Sequence, residues 1–299
     1  VAEIIAVVGA TASGKSSLAI EIAKKLGSAE IINADAMQLY RGMDIGTAKL
    51  SEDQMRGVPH HLLSVVEPTV DLTAVEYREM FDDALEQVIA RGNRPVVVGG
   101  STLYLASALD NLEFAPTDPK LRQELEAESE RVGALTMHEK LAKLDPIAAE
   151  KIPAANKRRV IRALEVVTLS GKSFASSLPT PSYRRPTTQI AIDVPREQLI
   201  DRIDDRVKLM WEQGLVAEVE ALLAKYGKLS ATAAVAIGYK QAIAQLNGEM
   251  TEAEAIGETV FLTQRYSKKQ RTWFNRDQRI HWLNPQQDLL PQALELIRL

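Results

Sequence analysis

Val7-Val8-Gly9-Ala10-Thr11-Ala12-Ser13-Gly14-Lys15-Ser16 joins a strand pattern to a helix pattern near the start of the chain. Ahead of it, residues 4–8 form a short apolar run that reads as a buried strand. Behind it, Leu18, Ile20, Ile22, Ala23 and Leu26 recur as on a helix with one apolar face. Between the two, GATASGKS is a full match to the P-loop pattern. Its glycines let backbone N–H groups turn inward around phosphate oxygens, and the following helix adds the positive end of its dipole. Gly9, Ala10, Thr11, Ala12, Ser13, Gly14, Lys15 and Ser16 are therefore expected to grip a diphosphate or a nucleotide. Lys15 would supply a mobile point charge, and the Ser16 hydroxyl would hold a Mg²⁺ bridging phosphate oxygens.

The 299 residues suffice for one large α/β domain, or a medium one carrying an insertion. A net charge of −4 gives no global positive field, so any RNA contact must come from local patches. The absence of cysteine excludes disulfides, thiolate catalysis and Cys-ligated zinc, and fits a reducing cytoplasm. Val1-Ala2-Glu3 puts no basic segment ahead of the first apolar run, and no stretch approaches the ~18 apolar residues of a membrane span. A soluble protein with no signal peptide and no membrane partner is expected.

Along the chain, residues 30–33 read as a second strand that delivers Asp35 to its carboxyl end, the edge of a parallel sheet where ligands bind. A long polar loop follows, residues 35–49. Residues 61–66 read as a third strand, and Thr73 caps a helix that runs to Arg91 and stops at Gly92. The apolar strand beginning Pro95-Val96-Val97-Val98 ends in Gly99-Gly100-Ser101, without the acidic residue that P-loop hydrolases place there to help hold Mg²⁺. Asp35 is left as the obvious carboxylate near the phosphate grip.

From residue 116 the pattern turns helical, over 121–130, 135–144 and 156–169, until a linker-like stretch at 179–186 and a strand resuming at 189. The reading is a P-loop core of residues 1–115 and 188–299, with an all-helical insertion at 116–187. The basic cluster Lys157-Arg158-Arg159-Val160-Ile161-Arg162 opens the third insertion helix. In the core, Arg202 and Arg206 share a helix face four residues apart, and Asp201, Asp204 and Asp205 make a surface salt-bridge ladder the plain reading. His60-His61 cannot readily ligate one ion, because neighbours on an extended chain point to opposite faces. Five basic residues between Arg265 and Arg276, mixed with Tyr266, Trp273 and Phe274, read as an RNA-facing surface. A Trp273 that serves only the core is the equal alternative.

Together these words resemble the bacterial tRNA dimethylallyltransferases, or tRNA isopentenyltransferases, over essentially the whole chain. The resemblance is carried by GATASGKS, DAMQLYRGMDIGTAK, GVPHHL, RPVVVGGSTLY, NKRRVIRALEV, the Arg202 to Arg206 helix with Gly214-Leu215, AIGYK and QRYSKKQRTWF. The chain departs from the family pattern at Ala10, Ala36, Met37 and Ser101, where many members carry Pro, Ser, Arg and Thr.

The resemblance implies a P-loop kinase-like α/β core, a parallel sheet flanked by helices, whose helical insertion grips the anticodon stem-loop. It also implies a Mg²⁺ requirement, and transfer of a dimethylallyl group from dimethylallyl diphosphate to N6 of the adenosine 3′-adjacent to the anticodon in tRNA. ATP-binding labels attach to such proteins through the loop. On this reading Asp35 is the base, Lys15 and Arg206 stabilise the leaving diphosphate, and Asp35, Ala36, Met37, Gln38 and Ser101 meet a flipped-out adenine. Arg122, Arg159 and Arg162 contact RNA, and the expected state is a monomer. Rival readings are a small-molecule P-loop kinase using Asp35 as base, a prenyltransferase acting on free adenine nucleotides, and an RNA-binding or GTPase-like switch.

Overall fold

The structure, a computed structural model, describes residues 3–174 and 181–297. In chain order the elements begin with β1 (Ile4–Val8), α1 (Lys15–Leu26), β2 (Ala29–Asn33), α2 (Glu52–Met55), β3 (His60–His61), α3 (Ala74–Ala90), β4 (Arg94–Gly99) and α4 (Thr102–Leu109). Next come α5 (Pro119–Leu144), α6 (Pro146–Lys151) and α7 (Lys157–Ser170). The chain returns to strand with β5 (Thr187–Ile192), then α8 (Arg196–Glu212), α9 (Leu215–Tyr226), α10 (Ala231–Ala234), α11 (Tyr239–Leu246) and α12 (Glu252–Phe274). β6 (Ile280–Leu283) and α13 (Leu289–Leu296) end the series.

The strands form one parallel sheet in the order β3-β2-β4-β1-β5-β6. Helices cover both faces of such a sheet, which is why every residue of β1 and the Val96 to Val98 run of β4 are buried and apolar. β1 sends its chain one way, to β2, while its neighbour β4 sends its chain the other way, to β5. The crevice at the carboxyl ends of these two strands is the switch point where ligands bind in open α/β sheets. α3 starts at a reciprocal cap: the Thr73 hydroxyl accepts from Glu76 N–H and the Glu76 carboxylate accepts from Thr73 N–H, together worth about 1 kcal/mol.

The chain divides into two compact units, Val1–Asp110 with Tyr183–Leu299, and Asn111–Ser182. These limits lie five residues ahead of the 116–187 expected from composition. The shift has a physical cause at its second end. Within the first unit Arg184 forks onto Asp82 (2.8 and 2.7 Å), and the Tyr183 phenol accepts from the Gln189 amide, with Arg279 stacked 4.0 Å above its ring. The stretch that reads as a linker is thus core from Tyr183 onward, while Pro179 and Thr180 lie outside the described residues.

A second difference concerns the third strand, expected over 61–66 but found only at His60–His61. Leu62 (φ 60°) and Ser64 (φ 52°) take left-handed conformations that turn the chain out of the sheet. In the second unit, α5 spans both helices expected at 121–130 and 135–144, and Gly133 (φ 85°) breaks its path between them. Leu125, Met137, Leu141, Val160, Ile161 and Leu164 form that unit's own core.

Candidate active site

Three strand ends build the site. At the end of β1, Ala12 (φ 63°) and Gly14 (φ 91°) curl the loop, and α1 starts with neither a side-chain cap nor an acid in its first turn. Its first N–H groups and its positive dipole end therefore stay available to an anion. The Ser13 hydroxyl is buried and, among the described residues, has no partner. Arg202 donates to the Ala12 carbonyl at 3.4 Å and so supports the loop from α8.

Lys15 and Arg206 are half-buried and meet electrostatically. Burial pulls the Lys15 ammonium down to a pKa of about 8, against the attraction of the Asp35 carboxylate and with added repulsion from Arg206. Burial also lowers Arg206. Among the described residues Arg206 has no hydrogen bond or ion pair, and Lys15 has only a 3.4 Å contact to the Ala10 carbonyl. The salt-bridge ladder expected of Arg202, Arg206 and the neighbouring aspartates does not form; Asp204 instead accepts from Gln264. Two desolvated cations without a bound carboxylate, beside a helix N-terminus, make a site for a multiply charged anion.

Asp35 follows the end of β2. Asn33 shapes the turn by accepting from Asp35 N–H and donating to the Asp35 carbonyl (both 3.0 Å). One carboxylate oxygen of Asp35 accepts from Met37 N–H at 3.1 Å, while the other is unpaired among the described residues. Asp35 therefore both orients its loop and keeps an acceptor lone pair free.

Gly99 makes the close approach possible, since a Cβ there would lie 2.2 Å from the Ala34 carbonyl oxygen. Ser101, just beyond it, accepts from Ala36 N–H at 2.9 Å. The Tyr266 phenol faces Asp35, Ser101 and Gln270, and burial pushes it up to about 12. Gln38 spends its amide donor on the Thr47 carbonyl at 3.0 Å and keeps its acceptor. Ala36 and Met37 pack against the main core.

Much of the loop at 35–49 is self-support. Lys49 reaches the Tyr40 carbonyl, Asp44 and Ser64 (2.7, 2.6 and 2.8 Å), while Glu218 accepts from the N–H groups of Asp44 and Ile45 and from the Tyr239 hydroxyl. The histidines are also structural: His61 meets Glu30 at 2.5 Å and His60 meets the Val58 carbonyl at 2.7 Å. On α12, Arg271 is tied to Asp193 and the Val194 carbonyl, and Trp273 packs on the core edge-on to Phe274. Arg265, Lys268, Lys269 and Arg276 remain exposed.

In the second unit Arg122 and Arg162 close on the buried Glu165, each at 2.7 Å. Arg162 spends both terminal nitrogens on Glu165 and the carbonyls of Pro116 and Ala115. Arg159 is exposed, with its guanidinium 5.9 Å from the Phe174 ring centre. The structure thus gathers Lys15, Asp35 and Arg206, brings Ser101 alongside, and commits both terminal nitrogens of Arg162, but only Nε and Nη2 of Arg122, to partners within their own unit. Sequence patterns single out neither Gln270 nor Glu218, and give Arg202 only a surface ladder rather than its support of the Ala12 carbonyl. The helical period of α12 puts Gln270 on one face with Thr259, Ser267 and Phe274, a signal for its burial and not for its partners.

A parallel sheet carrying this loop, with Lys15 in the field of both Asp35 and Arg206, defines a P-loop α/β protein with an anion site. The model of the IPP transferase family matches residues 38–277. The chain is 48% identical to the tRNA dimethylallyltransferase of Streptomyces coelicolor over 281 residues, 94% of this chain and 90% of the relative. Its fold resembles that of the tRNA isopentenylpyrophosphate transferase of Bacillus halodurans, with a TM-score of 0.72 and 35% identity over 99% of this chain and 94% of the other. A eukaryotic dimethylallyltransferase captured acting on tRNA matches with a TM-score of 0.79 and 27% identity, over 95% and 74% of the two chains. The chain belongs to the IPP transferase family.

Proposed function

We infer that this protein transfers a dimethylallyl group from dimethylallyl diphosphate to N6 of the adenosine 3′-adjacent to the anticodon in tRNA, releasing diphosphate. The observation that carries the reading is the meeting of Lys15, Arg206 and Asp35 at the ends of β1 and β2 in a chain of this family. An adenine amine is a weak nucleophile, so the reaction needs a positioned base and a well-held leaving group. The free oxygen of Asp35 takes the N6 proton as the new N–C bond forms. The allylic C–O bond breaks, and diphosphate leaves with the electron pair. Lys15, Arg206 and the loop N–H groups meet the negative charge that grows on it.

A stacked adenine cannot reach such a pocket, so the base swings out, with Ser101 and the free acceptor of Gln38 placed to hold it. Arg159 and the unspent Nη1 of Arg122 serve RNA phosphates from the second unit. Arg162, whose terminal nitrogens are consumed, supports that surface through Glu165.

The residues present fit Mg²⁺ held mainly by substrate. Among the described residues no group of three His, Cys, Asp or Glu side chains forms a cage, and a lone hydroxyl at Ser16 suits an ion that keeps phosphate and water ligands. When bound, Mg²⁺ would neutralise charge on the diphosphate oxygens.

The test is incubation of purified protein with labelled dimethylallyl diphosphate and an anticodon hairpin, with and without Mg²⁺. Label on the hairpin adenosine is expected. Phosphoryl transfer from ATP to a small alcohol, with no label on RNA, would overturn the reading.

A further inference from the structure

The amide of Gln270 belongs to neither the phosphate grip nor the base, yet it joins them. It is 2% exposed on α12 and spans two loops: Nε2 donates to the Gly100 carbonyl at 2.8 Å, and Oε1 accepts from Thr11 N–H at 2.9 Å. Gly100 leaves no room beside it, for a Cβ there would lie 2.5 Å from the Gln270 amide nitrogen and 2.9 Å from the Gly9 carbonyl oxygen. The ends of β1 and β4 and the C-terminal part of α12 therefore converge on one side chain. Tyr266, one turn earlier on α12, faces Ser101 and Asp35.

We propose that Gln270 is a positioning residue for the transfer. It takes the Thr11 N–H out of phosphate binding and pins Gly100, and so sets the shape of the diphosphate loop and its offset from Ser101, whose hydroxyl steadies Ala36 beside Asp35. The inference deepens the proposed function and rests on it for the identity of the substrate. A primary amide is suited to the place because it is neutral and offers a donor and an acceptor at one tip. A carboxylate there would accept only, repelling the Gly100 carbonyl and an anion in the adjoining loop. An aliphatic side chain would leave two backbone groups unpaired. A mere staple of α12 to the sheet would show in stability alone. A positioning residue shows in kinetics too, because a displacement of about 1 Å at reacting groups costs on the order of 10²-fold in rate.

The experiment uses the full chain and its Gln270→Glu and Gln270→Leu variants. It reads amide hydrogen exchange at Thr11, affinity for inorganic pyrophosphate, kcat and KM for dimethylallyl diphosphate, hairpin affinity and Tm. In the wild type without ligand, the Thr11 amide should be protected. Gln270→Glu should bind pyrophosphate about 10-fold more weakly and lose on the order of 10² in kcat, with hairpin affinity unchanged. A Thr11 amide that exchanges freely in the ligand-free wild type overturns the proposal. So do folded variants that match wild type in pyrophosphate affinity and kinetics while only Tm falls. If both variants fail to fold, exchange at wild-type Thr11 decides. If wild-type protein moves no prenyl group, the substrate reading fails, and Thr11 protection and pyrophosphate affinity still judge Gln270.

Discussion

Cations in the two units have opposite fates. In the unit of residues 111–182, Arg122 and Arg162 close on Glu165, whose carboxylate also accepts from Asp118 N–H and the Thr117 hydroxyl. In the unit that carries the sheet, Lys15 and Arg206 are desolvated with no carboxylate bonded to either among the described residues. Residue patterns alone make Arg202 and Arg206 among aspartates a self-paired ladder; it is the family resemblance that implies Arg206 for the leaving diphosphate and Arg122 and Arg162 for RNA. A charge neutralised inside its own fold reports on stability, whereas a charge buried without a partner reports on a ligand of opposite sign.

Asp35→Ala should lower kcat on the order of 10³-fold or more with hairpin affinity nearly unchanged, as single-turnover kinetics and RNA binding would report. Arg206→Met should cost on the order of 10²- to 10³-fold in transfer rate without lowering Tm, since no internal partner is stranded. A large fall in Tm would show that Arg206 has a hidden structural pairing.

Glu165→Gln should do the reverse, destabilising the helical unit by about 3 kcal/mol in denaturant titration while the chemical step survives. Burial alone would raise the Glu165 carboxyl, but hydrogen bonds from Arg122, Arg162, Asp118 N–H and Thr117 hold it at about 2 against an ordinary 4.5. Its stabilisation is therefore complete above about pH 5 and drains away as pH falls toward 2, a loss that Glu165→Gln should abolish in acid-unfolding curves.

Lys15 gives the complementary pH test. With its pKa near 8 in the free protein, KM for the diphosphate substrate should rise as pH climbs through 8 and the ammonium loses its proton. Lys15→Arg should flatten that limb. The smallest effect belongs to Arg159→Ala: RNA affinity weakened by roughly 1 kcal/mol or less, with the salt dependence of binding shallower by about one phosphate contact.

Some of this was legible beforehand for identifiable reasons. β1, the loop and α1 are local, since apolar run, glycines and helical period follow one another within 26 residues. Thr73 and Glu76 announce α3 because a capping box is a four-residue event. The third strand was overestimated because nothing in His61 to Val66 marks Leu62 and Ser64 as left-handed. The start of the returning core was misplaced because Tyr183 and Arg184 are fixed by Gln189, Arg279 and Asp82, the last of these about a hundred residues distant in sequence. Gln270 was missed for the same reason, its two partners lying 170 and 259 residues away.

Taken alone, the amino-acid order determined that a phosphate loop lies between the first strand and helix, that an acid follows the second strand, and that helices interrupt the sheet's sequence. These rest on spacing between near neighbours, which propensity and periodicity set directly. That Arg122 and Arg162 are paired inside their own unit, and that Gln270 ties Thr11 to Gly100, is set only by the folded chain. Pairing and desolvation depend on what folding brings within about 3 Å, and residues far apart in the chain carry no local mark of that meeting.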